Sequence, residues 1–389
     1  MNNNTSSQYW FTIEPYVYVS VGKNAALLYN TLDGNTIPVK QQKIRKLIGD
    51  LYRKDNCGVI LLTGNHIDDK DMQSFIIDLR NKFMGDIIDT SLSSGKPVQL
   101  MPKLNLQTDI KRLKQDEFRS TGEHIMQYLQ ETTVHFDNKI NADTYCKFLS
   151  QIPRWNKLRL VNLWDYEQRN TLMNFLILSS VMTVIITPYD KITVQNLSLI
   201  NIDIFKLHII IDFPADMQQL HEAWTVLSGQ KCPAQFVFKI ASDKDYEQSE
   251  IIIDQYNIKD YKLEPVYTGN NLSFFEKNIF LTEEDILSEP LSMREIFARQ
   301  ALNTFDFGKI HVMSNGDVHA NLNQPVLGNI NTHNIQEIVY KEMNEGKSWL
   351  RIRDQKPCTD CIYQYLCPSP SNYEIAIGKP NLCHVVENK

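Results

Sequence analysis

The sequence lacks long hydrophobic runs, signal-peptide patterning and any excess of positive charge. No apolar stretch free of charge reaches about 18 residues, the length that a membrane-spanning helix needs. The N-terminus, MNNNTSSQYW, has no charged segment followed by an apolar one, so no signal peptide is expected. The net charge is −6 over 389 residues, whereas nucleic-acid phosphates are bound by clustered Lys and Arg. We therefore expect a cytoplasmic protein with neither a membrane nor a nucleic acid as a partner.

Common catalytic motifs are missing as well. The sequence has no G-x-x-x-x-G-K-[ST] or G-x-G-x-x-G phosphate loop and no G-x-S-x-G nucleophile elbow. The nine histidines are dispersed. His135, His208 and His311 fall in predicted strands, where a core or edge position is a commoner role than metal binding.

The middle of the chain alternates between two kinds of segment. Strands are predicted at 98–101, 132–136, 158–161, 182–186, 207–211, 235–240 and 262–266. Amphipathic helices are predicted between them, at 118–130, 141–151, 166–179, 192–197, 217–227 and 246–256. This alternation predicts an α/β fold with a parallel sheet or an open barrel.

Residues 9 to about 90 predict a small mixed unit. Turn signals separate three short strands at 16–21, 25–30 and Thr36–Val39. An amphipathic helix at 41–52, an apolar piece at 59–62 and a second helix opening at 68–69 follow. The polar, turn-rich segment 90–97 is predicted to be a linker.

Four of the seven cysteines are crowded into the last 32 residues, with the spacing C-x2-C-x5-C-x15-C. They are Cys358, Cys361, Cys367 and Cys383. Two cysteines three positions apart can direct both sulfurs at one metal, and more distant cysteines complete the set. Four thiolates suit either tetrahedral Zn²⁺ or an iron–sulfur cluster, and the spacing alone does not separate the two.

Two segments upstream of the cysteines add a family resemblance. The stretch IHVMSNGDVH at 310–319 predicts a hairpin, and PVLGNI at 325–330 precedes a predicted helix. With the four cysteines, they resemble a SPASM domain, the C-terminal auxiliary-cluster domain of radical-SAM peptide-modifying enzymes. The resemblance implies that the four cysteines hold one 4Fe–4S cluster, the second auxiliary cluster of that family, with Zn²⁺ as the alternative. Asn321 and Ser371 stand where the family has further cysteines, so its first auxiliary cluster is absent.

A SPASM-like tail implies that a radical-SAM partial barrel precedes it, and here the catalytic motif is missing. In that family the first barrel strand leads into C-x3-C-x2-C, whose thiolates hold the cluster that binds S-adenosylmethionine. After the strand predicted at 98–101, the three positions hold Leu104, Thr108 and Lys111. The family's Gly-Gly-Glu also has no counterpart after the second strand, where Leu163 and Trp164 follow. The resemblance therefore implies a pseudo-radical-SAM protein that binds no S-adenosylmethionine.

The order of elements in residues 15–82 is similar to that of PqqD-like winged-helix domains, which recognise leader peptides. Such domains add the peptide as an extra strand at a sheet edge. On this analogy Thr36–Val39 is the edge strand and 69–83 the lining helix. The implied peptide-binding residues are Thr36, Ile37, Val39, Phe75, Ile76, Leu79 and Phe83. Alternatively, the helix faces the core of a cap domain, and both interpretations remain open.

As a whole, the chain resembles pseudo-radical-SAM proteins encoded beside Gly-Gly-leader peptides in Bacteroidales. The resemblance implies a peptide-recognition domain at 1–92, a degenerate partial barrel at 93–292 and a SPASM-like domain at 293–389. It also implies a non-catalytic accessory role in maturing a ribosomally made peptide, with the precursor peptide and a separate radical-SAM maturase as partners. Two alternatives stay open: an enzyme of another reaction class on a repurposed barrel, and a zinc-bound structural scaffold.

Overall fold

The computed structural model describes residues 8–100, 122–153, 156–230 and 232–385. Their strands form two three-stranded sheets and one nine-stranded sheet. The strands are β1 Tyr9–Ile13, β2 Val17–Val21, β3 Ala26–Asn30, β4 Thr36–Val39, β5 Val59–Leu62, β6 Gly85–Asp89, β7 Glu131–His135, β8 Lys157–Val161, β9 Thr183–Pro188, β10 Phe205–Ile211, β11 Ala234–Ile240, β12 Tyr261–Pro265, β13 Lys309–Val312, β14 Asp317–His319 and β15 Gly328–Asn329.

The helices are shorter than most of the predicted ones, but they occupy the same parts of the chain. They are α1 Gln42–Leu51, α2 Gly64–Ile67, α3 Lys70–Asn81, α4 Ala142–Leu149, α5 Arg169–Ser179, α6 Val194–Leu197, α7 Met217–Gln230, α8 Asp243–Tyr256, α9 Leu272–Asn278, α10 Glu283–Leu287, α11 Met293–Ala301, α12 Ile335–Glu345 and α13 Asn372–Ile377. None of the helices within the described ranges is long and apolar enough to span a bilayer.

The N-terminal region contains the three predicted strands and both predicted helices, together with two strands that were not expected. β2, β3 and β4 form one antiparallel sheet, and β1 lies between β5 and β6 in another. β1 pairs with β6 across about 75 residues of chain, from Tyr9↔Asp89 to Ile13↔Gly85. A pairing over such a distance leaves no local pattern, which is why neither strand could be predicted.

The nine-stranded sheet confirms the alternation that the sequence predicts. Strands β7 to β12 are parallel and adjacent in chain order, and their predicted positions are confirmed. The strand predicted at 98–101 is wrong for residues 98–100, which are not in a strand, and Met101 lies outside the described residues. The parallel run begins instead at β7, because the neighbouring edge position is occupied by β13.

The C-terminal region extends this sheet. β13 pairs in parallel with β7, and the predicted hairpin of β13 and β14 is confirmed, with β15 added at its far edge. The fully buried Trp349 contacts Phe307 with ring centroids 5.5 Å apart, and its Nε1 donates to the Lys309 carbonyl at 2.8 Å. The predicted boundary at residue 292 therefore falls within one continuous sheet and core.

The sheet of β2, β3 and β4 packs against the cysteine-rich tail. Leu27 and Tyr29 share a buried apolar cluster with Tyr363, Leu366 and Cys367. The Tyr29 hydroxyl accepts a hydrogen bond from the backbone N–H of Leu291 at 2.6 Å. Alternation along β3 directs Leu28 into the core of the N-terminal unit and its two neighbours toward the tail. The metal-ligand region and the N-terminal unit are thus packed as one body.

The turn between β2 and β3 gives this contact a test. A Cβ on Gly22 would lie 2.7 Å from the Asp360 backbone oxygen, so we expect Gly22→Ala to lower the free energy of unfolding by about 1–3 kcal/mol through overpacking. The control is Gly49→Ala in α1, where nothing lies within 4 Å. It should raise stability by up to about 1 kcal/mol through helix propensity. Urea unfolding measures both, and equal effects would contradict the contact.

Candidate metal centre

Local backbone structure brings the four cysteines of the tail together. Cys358 opens a single 3₁₀ turn, and its carbonyl accepts from the N–H of Cys361 at 3.1 Å. Cys383 is positioned by a backbone bridge to Leu281, which lies about a hundred residues earlier in the chain. All four thiols, including that of Cys367, border the same small cavity. The convergence that the spacing implies therefore exists within one site.

The two most buried thiols are poorly suited to staying charged by themselves. Cys358 and Cys367 are buried, and the other two are partly exposed. Burial raises the pKa of the Cys358 thiol above its ordinary value. Burial raises the pKa of Cys367 to about 12. Thiolates at these positions need a compensating positive charge, which a metal centre supplies.

Hydrogen-bond donors already point at three of the four sulfurs. Asn381 Nδ2 donates to Cys383 Sγ at 3.1 Å, and the Tyr363 backbone N–H donates to Cys361 Sγ at 3.4 Å. The Arg353 guanidinium approaches Cys358 Sγ, with Nη1 3.8 Å away. Such outer contacts stabilise metal-bound thiolates and tune iron–sulfur clusters. A neutral thiol has little use for three of them.

Arg353 is itself held by a buried ion pair. Its Nη2 donates to Glu374 Oε1 at 2.9 Å, and both side chains are at least nine-tenths buried. Its Nε donates to the Pro368 carbonyl at 2.6 Å. A buried ion pair of this kind is costly to desolvate. The nearby thiols make the cost understandable, since a cation next to them would offset their negative charge in the bound state.

The donor set fits an iron–sulfur cluster better than a single ion. Tetrahedral zinc requires four sulfurs about 2.3 Å from one point. Among the described residues, no group of three or more His, Cys, Asp or Glu side chains is arranged to hold a single metal ion. The four thiols nevertheless surround a common cavity. A cluster with several irons distributes its ligands over a wider space.

The two positions where the SPASM resemblance lacks cysteines lie in a polar network. The buried Asn321 donates through Nδ2 to Asp306 Oδ2 at 2.8 Å and to Asn372. Arg351 donates through Nη2 to the Ser371 carbonyl at 3.1 Å, and the same nitrogen lies 3.7 Å from Asp306. Hydrogen bonds and ion pairs thus occupy the space around Asn321 and Ser371.

The positions aligned with the radical-SAM motif, Leu104, Thr108 and Lys111, lie outside the described residues. The sequence settles the point independently, because its seven cysteines include no C-x3-C-x2-C anywhere. After β7, the first strand of the parallel run, Cys146 is the single cysteine up to the end of α4. After β8, Leu163 and Trp164 are buried, as expected for side chains that fill this end of the strand.

The residues implied in peptide binding divide into a buried group and an exposed one. Phe75, Ile76 and Leu79 on α3 are buried in the core of the N-terminal unit, which favours the interpretation of this helix as core-facing. Ile37 and Val39 are also buried, and Thr36 is half-buried. Phe83, just beyond α3, is 75% exposed.

The strand β4 does lie at a sheet edge, but much of its open side is blocked. Asn30 N donates to Asn35 O at 2.8 Å, and the alternation from that pair directs the backbone groups of Thr36 and Pro38 outward. The Thr36 carbonyl already accepts from Lys82 Nζ at 2.6 Å. Pro38 has no N–H. An added peptide strand could therefore use the Thr36 N–H and the Pro38 carbonyl, and Phe83 follows Lys82 directly.

A second polar cluster, which the sequence did not single out as a site, lies on the nine-stranded sheet. His135, Arg159, His208 and His311 alternate with buried residues, so they share the face that the helices do not cover. Burial lowers the pKa of His208 and of His311 to about 4 in each case. His135 Nε2 and His311 Nδ1 have no hydrogen-bond partner among the described residues. These imidazoles are neutral near pH 7.

Comparison with known proteins bears on the fold alone. No protein-family model and no curated protein matches the chain. The chain is similar to solved structures of Streptococcus suis SuiB, one bound to S-adenosylmethionine and one to the precursor peptide SuiA; each shares 11% identity over 96% of this chain and 98% of that chain, with a TM-score of 0.46. For anSMEcpe with bound AdoMet the values are 11%, 61%, 87% and 0.44. Likenesses with TM-scores below 0.5 do not say what this chain binds or does.

Proposed function

We propose that this protein is a non-catalytic accessory protein in the maturation of a ribosomally made peptide. It binds the precursor peptide, an active radical-SAM maturase, or both, and carries one 4Fe–4S cluster at Cys358, Cys361, Cys367 and Cys383. Its three parts are a peptide-recognition domain at 1–92, a degenerate barrel-like part at 93–292 and a SPASM-like part at 293–389. Radical chemistry would take place in the partner.

One combination of features carries this proposal. Four thiols converge on one cavity in the tail, while the whole sequence offers no C-x3-C-x2-C for a cluster with an open iron site. Retaining the auxiliary site without the catalytic one favours a role in binding over a role in radical generation. When bound, the cluster would supply four sulfur-linked irons that cross-link distant parts of the chain.

The position of the site favours a structural role for the cluster. Its ligand Cys383 is bridged to Leu281, and Cys367 packs against the N-terminal sheet through Leu27 and Tyr29. The cluster would therefore join the tail, the segment before α10 and the N-terminal unit. No second redox centre is evident in the sequence to receive an electron from it.

For the peptide, we propose docking at the short open edge of β4 beside Phe83. Two free backbone groups give a brief strand pairing, and the exposed ring gives an apolar anchor. We expect Phe83→Ala to weaken capture of the precursor peptide by about tenfold, which corresponds to about 1.4 kcal/mol. The matched control is Leu178→Ala on α5, where an apolar side chain is 86% exposed elsewhere on the surface.

The test uses the full chain, because removing the N-terminal unit would expose its packed face on the tail. Protein purified without oxygen should be brown, with broad absorbance near ~400 nm and about four irons per chain. It should bind the short Gly-Gly-leader peptide or the radical-SAM maturase encoded beside its gene. Binding to neither, or neighbouring genes that encode neither, would overturn the proposal. Release of 5′-deoxyadenosine by this chain alone would overturn its non-catalytic part.

The polar face of the large sheet favours one second candidate, an enzyme of another reaction class. Unpartnered neutral imidazoles on His135 and His311 could accept a proton or hold a ligand. Titration calorimetry with S-adenosylmethionine distinguishes the candidates. Micromolar binding would favour the enzyme, whereas no heat would favour the accessory protein.

A further inference from the structure

A cleft of about 470 Å³ opens beside the cysteine site and shares Cys358 and Arg353 with it. Its volume lies in the range of pockets that hold a small ligand or a few residues of a peptide. Four cations line it, against the single carboxylate of Glu374. The cations are Arg351, Arg353, Lys356 and Lys379. This is a local excess of positive charge on a chain whose net charge is −6.

The partners of these cations decide which of them are available to a ligand. Arg353 is paired with Glu374 at 2.9 Å and is the cation that contacts a cysteine. Lys379 has Glu276 at 3.5 Å, a loose and partly exposed pair. Lys356 is exposed and has no ion pair among the described residues. Arg353 therefore serves the metal site, while the two lysines remain free to meet an anion.

One buried donor in the cleft also lacks a partner. Arg351 uses Nη2 for the Pro370 carbonyl at 2.9 Å, but its buried Nε has no hydrogen-bond acceptor among the described residues. Leaving a buried charged donor unsatisfied costs free energy. An acceptor oxygen on a ligand in the cleft would satisfy it, and this observation is independent of the charge count.

We propose that this cleft binds an acidic segment of a peptide, whose carboxylates meet Lys356, Lys379 and Arg351. Ile352, Ile375 and Pro380 also line the cleft, and these apolar surfaces suit the rest of a peptide better than a phosphate group. The chain has no glycine-rich phosphate loop. The proposal deepens the peptide-binding function proposed above, rests on it, and adds a second contact point next to the cluster.

The test measures binding of a defined probe to the cluster-loaded full chain by fluorescence anisotropy. The probe is a labelled hexapeptide with three Glu residues, and its comparison is the same peptide with Gln at those positions. We expect tighter binding of the Glu peptide, weakened by added salt because exposed charges are screened. Lys356→Glu combined with Lys379→Glu should weaken it by about tenfold. Lys244→Glu together with Lys46→Glu, which changes two exposed lysines elsewhere, should not.

Several outcomes decide the matter. Equal affinity for the two peptides, or equal loss in the cleft and control variants, would overturn the proposal. Stronger competition by inorganic phosphate or ATP than by the unlabelled Glu peptide would overturn its assignment to a peptide. Iron content is measured in every variant, and an unchanged value attributes the loss to the cleft. If the precursor peptide still binds and Phe83→Ala still weakens it, this inference fails while the proposed function stands.

Discussion

Replacing Cys367 by serine is expected to have the largest effect of any single change in this protein. Cys367 is the thiol whose pKa burial raises to about 12, and it also belongs to the apolar cluster that the tail shares with the N-terminal sheet. Because metal-binding energy is coupled to folding, a lost ligand loosens both parts. We expect iron to fall from about four per chain to below one. The tail should then unfold before the rest of the chain.

The measurement combines iron and sulfide analysis with thermal unfolding followed by tryptophan fluorescence. Trp349 lies in the core that adjoins the tail. The control is Cys232→Ser, which removes a partly buried thiol from another part of the fold and should leave the iron content unchanged. Full iron retention in Cys367→Ser would show that Cys367 is not a ligand. Stoichiometric zinc in colourless wild-type protein would replace the cluster by the zinc alternative.

The second large effect is expected at the buried ion pair of Arg353 and Glu374. Removing one partner leaves a buried charge uncompensated, which typically costs about 3–5 kcal/mol. We therefore expect Arg353→Met to lower the free energy of unfolding by that amount, measured by urea unfolding. The control is Arg80→Met, because the Arg80–Asp86 pair is equally short, at 2.5 Å, but about half exposed. Exposed pairs contribute about 0–1 kcal/mol.

A double variant separates the two roles of Arg353. Arg353→Met with Glu374→Leu removes both charges, and buried pairs replaced by apolar residues often regain stability. The contact from Arg353 Nη1 to Cys358 Sγ is not restored. We expect the double variant to recover most of the folding free energy but still to lose iron to a chelator faster than the wild type. Wild-type iron loss in the double variant would mean that Arg353 acts on the fold alone.

Sequence reasoning succeeded where the signal was local. The i, i+3, i+4 spacing of Ile44, Leu47 and Ile48 predicted α1, and all three are buried on one face. The turn Asn315-Gly316 predicted the hairpin of β13 and β14, where Gly316 adopts a positive φ of 88°. These patterns depend on residues a few positions apart, so neighbouring side chains alone define them.

Reasoning from the sequence failed where contacts are distant. The strand predicted at 98–101 has suitable residues, but β13 takes the edge of β7 from more than two hundred positions away. Phe75, Ile76 and Leu79 have the same apolar spacing whether they line an open groove or a closed core. The packing of Phe11 and Met84 against them decides for the core. Spacing describes one face of an element and not what covers it.

The sequence by itself determined the α/β alternation, the crowding of four cysteines into the tail and the absence of a C-x3-C-x2-C motif. Each is a property of residue type and local order, which chain folding cannot change. The tertiary structure alone decided that Cys383 reaches the other three cysteines through Leu281, that the N-terminal sheet covers Cys367, and that Arg351, Lys356 and Lys379 share a cleft. These are contacts between segments far apart in the chain, and such contacts form only because burying apolar surface brings those segments together.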